Sequence, residues 1–282
     1  MLKPFLRKRH LLTLNDLSDK EMADVICCAQ ELKRQKRSGV SHSEKHLSGR
    51  NVALVFEKAS TRTRCATVVA VSDEGGHAEY LDKNAIHLGK KESIADTARV
   101  LGRMFDGILF RGYEHATVEQ LARHAGVPVW NGLTDKAHPT QALADLMTVF
   151  ESFERQEKLK CVYLGDGRNN VCNSLMLGCA KTGVDFVNCC PPSLQPPDGY
   201  VTEARKTAAG NGASVTIEND PVRAVENANV LYTDVWVSMG EEKETGERLK
   251  VLEPYRVTEA LVEKTGNAEN GRLIFLHCLP AY

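Results

Sequence analysis

Short apolar runs alternate with longer stretches whose apolar positions recur three and four residues apart. "NVALVF" (51–56), "GILF" (107–110) and "VPVW" (127–130) read as buried strands. "DKEMADVICCAQELKRQ" (19–35) and "ESIADTARVLGRM" (92–104) carry the helical spacing. The second half repeats the theme. "KCVYLGDG", "VDFVNCC", "ASVTI", "NVLYTDVW" and "RLIFLHCLP" are strand candidates, with helices expected over 170–181, 200–210 and 221–228. Strand–helix alternation predicts an α/β protein with parallel sheets covered on both faces. A helix near 139–153, ending in polar "ERQEKLK", links two such sheets, which places a domain boundary near residue 150. "PPSLQPPDG" (191–199) is too rich in proline for a helix interior and reads as a loop. "SMGEEKETGER" (238–248) is polar and long, and reads equally as a mobile active-site loop or a solvated connection.

Composition narrows the class. A chain of 282 residues, 42% hydrophobic, can bury two cores. Its formal net charge of -1 gives no global basic field for nucleic acid. No 18-residue apolar run is present, so no membrane span is expected. The basic start, "MLKPFLRKRHLLTL", lacks the apolar core of a secretory signal; a remnant of a transit segment stays open. The nine cysteines are odd in number, form no CxxC pair and lie mostly in apolar runs. They predict a reducing, cytoplasmic compartment without disulfides or structural zinc.

The candidate chemistry sits where strands end, because ligands of parallel sheets collect at the strands' carboxyl ends. After 51–56 comes "STRTR". Its first residues would offer backbone N–H groups at a helix start, which suit an anion. Ser60, Thr61 and Thr63 add hydroxyls, and Arg62 adds a planar guanidinium. The bland alternative is an ordinary Ser/Thr cap with solvated arginines. Arg111, in "FRGYE", is a second cation past a strand end; taken alone it reads as a surface residue or a salt-bridge partner. In "HPTQ", Pro139 suits a first helical turn, so His138 and Gln141 can face one point. Together these residues describe a pocket for a small, doubly negative ligand with a polarisable carbonyl.

The second half offers other groups. "LGDGRNN" looks like a nucleotide turn, but Asn170 stands where the last glycine of G-x-G-x-x-G belongs. A nicotinamide dehydrogenase is therefore a weak reading. Asp234, in "TDVWVSMG", falls at a strand end and could pair with an amine or serve as a cap. Cys278, in "FLHCLP", falls at another. His277 and Cys278 are neighbours in an extended segment, so their side chains point to opposite faces and do not make a nucleophilic pair.

"FEKASTRTR", "FRGY", "HPTQALADLMT", "GDGRNN", "TDVWVSMGE" and "FLHCLP" together resemble the ornithine carbamoyltransferases. The resemblance runs from about residue 10 to the end. It implies two domains, 1–149 for carbamoyl phosphate and 150–282 for L-ornithine, and a homotrimer with active sites shared between subunits. It implies that Ser60, Thr61, Arg62 and Thr63 hold the phosphate, and that Arg62, Arg111, His138 and Gln141 hold the phosphate and carbonyl oxygens. Asn170, Asp234, Ser238 and Met239 would bind the amino-acid end of ornithine, and Cys278 with the Leu279 carbonyl its side-chain amine. The reaction implied gives citrulline and phosphate, and needs no metal or organic cofactor.

Departures from the family pattern qualify this. His87 stands where a glutamine is usual, on a residue that reaches carbamoyl phosphate from the neighbouring subunit. Ala59 replaces an aspartate, and Thr67 and Val68 replace Phe and Glu. The family continues past the position of Tyr282 into a segment with another active-site arginine and a crossover helix. The chain is thus expected to be either a fragment or a shortened homologue. A catalytically silent homologue that binds ligand or assembles with partners is the alternative function.

Overall fold

The structure is a computed structural model. It describes residues 9–39, 45–84, 86, 88–89, 91–154, 157–236 and 245–281. The chain divides into two compact units, Met1–Thr140 and Gln141–Tyr282.

The first unit holds a parallel sheet of order β2-β1-β3-β4, from β1 (Asn51–Phe56), β2 (His77–Asp82), β3 (Gly107–Arg111) and β4 (Val129–Leu133). Around it lie α1 (Asp19–Arg37), α2 (Thr61–Asp73), α3 (Ile94–Met104) and α4 (His115–Ala125). β1 pairs with β2 on one side and β3 on the other. Both of its faces are therefore covered. Ala53 and Val55 pack with Ala98, Leu101, Val118 and Leu121. Val52, Leu54 and Phe56 pack with Val71 on the opposite face. An unbroken apolar run is what burial on two faces demands. β2 was not anticipated: it is a sheet edge, half-exposed along its length, so it lacks that run.

α3 and α4 approach closely. A Cβ placed on Gly102 would lie 1.7 Å from the Ala125 carbonyl oxygen. Gly102→Ala should force the two helices apart and destabilise the fold by about 1–3 kcal/mol. The check is a urea unfolding midpoint; an unshifted midpoint would show that the helices separate at no cost.

The second unit holds a parallel sheet of order β7-β6-β5-β8-β9: β5 (Lys160–Leu164), β6 (Asp185–Cys189), β7 (Val215–Glu218), β8 (Val230–Thr233) and β9 (Ile274–His277). α5 (Pro139–Ser152) begins in the first unit and continues into the second. It is followed by α6 (Asn170–Thr182), α7 (Asp198–Gly210), α8 (Pro221–Val225), α9 (Thr245–Leu252) and α10 (Glu259–Glu263). Val162, Leu164, Val187, Cys189 and Leu231 form one core face with Ala224, Val225, Tyr255 and Leu261.

Two expected loops prove partly helical. A 3-10 turn occupies Pro192–Leu194 and α7 starts at Asp198, within the proline-rich stretch. The polar 238–248 segment ends inside α9; its residues 238–244 lie outside the described residues. The α8 helix ends at Val225, shorter than expected, because Glu226 leaves the helical conformation.

Strand order locates the candidate sites. In the first sheet the chain passes from β1 to β2, then crosses back to β3 on the other side of β1. In the second it runs β5, β6, β7, then crosses to β8. Each reversal opens a crevice at the strands' carboxyl ends, the usual ligand position in such sheets.

Candidate active site

In the first unit the reversal falls between β1 and β3, and both strands deliver donors there. Past β1, Ser60 is the N-cap of α2, and its hydroxyl accepts from the Thr63 N–H at 3.2 Å. Thr61, Arg62 and Thr63 form the first turn, where backbone N–H groups lack helical acceptors. That turn contains no acidic residue, so it presents uncompensated positive potential. Arg62 is exposed on this turn. Arg64 is diverted, its guanidinium lying 3.8 Å over the Tyr80 ring.

Arg111 closes β3 and is only 8% exposed. Its Nη1 donates to Thr63 Oγ1 at 3.1 Å, which joins the second strand end to the helix start. The neighbouring glycine makes this corner possible. A Cβ on Gly112 would stand 2.3 Å from Glu57 Oε2 and 2.2 Å from the Phe110 ring. Glu57 in turn accepts from the Tyr113 N–H at 3.1 Å.

His138 immediately precedes Pro139, the first residue of α5, and is 6% exposed. Thr140 Oγ1 lies 3.4 Å from His138 Nδ1. Burial, and then the Arg111 charge, push the imidazole down to about 3. It is neutral throughout the physiological range, and a neutral imidazole keeps one N–H donor. Arg111, Thr63 and His138 thus gather a buried cation, a hydroxyl and a neutral ring. Ala59 is exposed, and the Thr67 hydroxyl donates back to the Thr63 carbonyl at 2.8 Å. Val68, the other position without the usual carboxylate, is exposed as well, and Ser60 caps α2. His87 lies outside the described residues.

In the second unit the reversal falls between β5 and β8. Asp234 follows β8 and is 8% exposed. Its carboxylate accepts from the Val235 N–H at 2.8 Å and from Asn169 Nδ2 at 3.2 Å. Burial raises it to about 6; the Val235 N–H, the His277 ring and Asn169 oppose the rise. Asn169 is also the N-cap of α6, accepting from the Val171 N–H at 2.7 Å. It is thus Asn169, absent from the sequence-derived set, that touches Asp234. Asn170 is the first residue of α6, half-buried, and its carbonyl accepts from Ser174 Oγ at 2.8 Å.

The "GDG" turn between β5 and α6 is built for packing. Gly165 has φ 141°, a backbone region that side chains disfavour. A Cβ on Gly167 would stand 2.7 Å from Cys190 Sγ and 2.8 Å from the Leu194 carbonyl. Between them, buried Asp166 pairs with Arg168 at 3.1 Å and with buried Arg248 of α9. Arg248 Nε also donates to the Trp236 carbonyl at 3.2 Å. This pair ties α9 to the end of β5, a role hidden by the polar composition of its segment.

Cys278 follows β9 and is half-buried; the preceding His277 Nδ1 lies 2.8 Å from the Cys278 carbonyl. Leu279 is exposed. Ser238 and Met239 lie outside the described residues. Among the described residues, no group of three His, Cys, Asp or Glu side chains could hold a metal ion.

The first unit can bind a phosphate at the α2 start and polarise a carbonyl from a neutral imidazole; the second can hold an ammonium on Asp234. Residues 9–151 match the sequence profile of the aspartate/ornithine carbamoyltransferase carbamoyl-P binding domain, and residues 157–282 that of its Asp/Orn binding domain. The chain is 54% identical over 277 residues to a catabolic ornithine carbamoyltransferase of Bacillus licheniformis, covering 98% of this chain and 81% of that one. It is 52% identical over 282 residues to one from Bacillus cereus, covering 100% and 82%. Among solved structures it resembles ornithine carbamoyltransferase from Pyrococcus furiosus with a TM-score of 0.92 at 43% identity, covering 98% of this chain and 86% of that one.

Proposed function

Because the chain belongs to the aspartate/ornithine carbamoyltransferase family, we infer that it transfers the carbamoyl group from carbamoyl phosphate to the side-chain amine of L-ornithine. The observation that carries the reading is the likeness to ornithine carbamoyltransferases at 52–54% identity, over 98–100% of this chain and 81–82% of theirs. Buried Arg111, bonded to Thr63 at the start of α2, is its physical counterpart.

We assign residues 1–149 to carbamoyl phosphate and 150–282 to ornithine. The phosphate would sit on the Thr61 and Arg62 N–H groups, the Ser60 and Thr63 hydroxyls, and the Arg62 and Arg111 guanidiniums. The neutral His138 N–H would meet the carbonyl oxygen, with Gln141 and the His87 of a neighbouring subunit completing the shell. Asn170, Asp234, Ser238 and Met239 would hold the amino-acid end of ornithine. Cys278 and the Leu279 carbonyl would face its δ-amine.

The chemistry then follows from charge. The δ-amine resembles a lysine amine with a pKa near 10.4, so it arrives as an ammonium and must lose a proton. Nearby cations and desolvation favour the neutral amine. Its lone pair forms the C–N bond while the C–O bond to phosphate breaks, and the proton shed by the attacking nitrogen leaves with the phosphate. Negative charge on the carbonyl oxygen meets His138, and charge on the departing phosphate meets Arg62 and Arg111. The amine attacks directly, so no protein nucleophile enters.

Citrulline and phosphate should form in equal amounts from carbamoyl phosphate and ornithine, and aspartate should not replace ornithine. Phosphate release without citrulline would refute the acceptor assignment, and no turnover with ligand bound would restore the silent alternative. We propose a homotrimer in the cytoplasm. The cysteines, set mostly in apolar runs, support the location; no described helix is long and apolar enough to cross a membrane. Sedimentation equilibrium giving the mass of one chain would overturn the trimer.

Asp234 also sets an expectation for pH. A carboxylate raised to about 6 is ionised above that pH and protonated below it. The KM for ornithine should therefore climb as pH falls through 6, and this limb should vanish in Asp234→Asn. A limb that persists there would place the titration elsewhere.

A further inference from the structure

Asp145 lies one helical turn beyond Gln141 on α5 and is only 7% exposed. Its two carboxylate oxygens have different partners. Oδ1 accepts from Gln141 Nε2 at 2.9 Å, and Oδ2 accepts from the Tyr232 hydroxyl at 3.0 Å. Tyr232 is fully buried on β8, and its ring stacks on that of Tyr163 with centroids 6.0 Å apart. One oxygen thus faces Gln141 on the same helix, while the other rests on a tyrosine of a different element.

An ionised carboxylate accepts hydrogen bonds and donates none. It therefore decides which end of the Gln141 amide faces it. The NH2 must turn toward Asp145; the reverse would set oxygen against oxygen. The Gln141 carbonyl oxygen then points away from Asp145, as an acceptor for whatever the half-buried glutamine meets.

We propose that Asp145 is a positioning residue that locks the Gln141 carbonyl outward, so that the chain selects a carbamoyl phosphate over an acyl phosphate by requiring an N–H donor. The proposal rests on the reading of Gln141 as a ligand of carbamoyl phosphate. Carbamoyl phosphate carries an NH2 where acetyl phosphate carries a methyl group of similar size. A site that holds a fixed acceptor leaves it unpaired against the methyl, and an unpaired polar group is costly. A helix surface pair would not behave this way, because its partners exchange with water. The competing account is that Asp145 only ties α5 to β8 through Tyr232. The two accounts differ in which variants matter.

Burial pushes the Asp145 carboxyl up to about 7, against the opposing pull of Gln141 and Tyr232. Mildly alkaline buffer keeps it ionised. Under that condition, calorimetry without ornithine reads the dissociation constants of carbamoyl phosphate and acetyl phosphate for the wild type, Asp145→Asn, Tyr232→Phe and Gln141→Met. The wild type should prefer carbamoyl phosphate. Asp145→Asn should lose at least about tenfold of that preference, because an asparagine can present either end to the glutamine. Tyr232→Phe should keep the preference, since the carboxylate and its bond to Gln141 remain.

A preference unchanged in Asp145→Asn would overturn the proposal. Equal losses in Asp145→Asn and Tyr232→Phe would also overturn it, in favour of the structural tie. If Asp145→Asn fails to fold, Gln141→Met carries the test: preference retained there overturns the proposal, and preference lost there with Tyr232→Phe unaffected supports it. Citrulline formation by the wild type, measured alongside, keeps the two readings apart. Selective binding without turnover would sink the activity and leave the positioning role. Turnover with an insensitive Asp145→Asn would do the opposite.

Discussion

Arg111→Met should lower kcat/KM for citrulline formation by about 10²–10³, the usual loss when one preorganised charge-stabilising donor is removed. The cause is where this cation sits. Arg111 ends β3 at 8% exposure and holds Thr63 Oγ1 on the first turn of α2. A desolvated charge acts through a low effective dielectric, so its pull on phosphate oxygens exceeds that of a solvated arginine. Methionine keeps much of the apolar stem and removes the guanidinium, which isolates charge from packing. Melting curves matched to the wild type would show that the fold survives. Arg62→Ala, on the exposed side of the same turn, should also slow the reaction by orders of magnitude. A rate unchanged in Arg111→Met would remove the basis for placing phosphate there.

His138→Ala should cost about 10²-fold in kcat, with the pH dependence of the remaining rate unaltered. The two halves of this expectation come from one fact. Burial and Arg111 hold His138 at about 3, so its ring is neutral above that pH and charges only below it. A neutral ring donates one hydrogen bond to a carbonyl oxygen as negative charge builds there, without drawing a proton from solvent. An ordinary histidine would instead lose its charge near 6.5 and stamp that step on the profile. Any acid limb of the wild type, including one from Asp234, should therefore persist in the residual activity of His138→Ala. Loss of a limb near 6.5 in this variant would mean that the ring cycles through its charged form.

Much of this was legible in the chain because burial leaves a plain signature. β1 is covered on both faces, and only an unbroken apolar run satisfies that position. Edge strand β2, "HAEYLD", carries no such constraint and did not announce itself. α2 has a single buried residue, Val71, so its start was readable from Ser60 and its length was not. The polar α9 segment concealed Arg248, whose burial makes sense only beside Asp166, 82 residues away in sequence.

The site followed a similar rule. Strand-end cations and the His–Pro pair could be read, because parallel sheets dictate where ligands lie. Asn170 was preferred to Asn169 on the resemblance alone, since adjacent positions at a helix start differ only in which way the backbone turns; that Asn169 would be the one to support Asp234 could not be read. Asp145 was invisible for another reason. One carboxylate on an amphipathic helix looks solvated until Tyr232 is brought onto it from a distant strand.

The most direct test is a crystal structure of the chain with carbamoyl phosphate bound. The account predicts phosphate oxygens on the Thr61 and Arg62 N–H groups and on the Arg111 guanidinium, with the carbamoyl oxygen on His138. A ligand bound elsewhere, with the α2 start and Arg111 left to solvent, would contradict it.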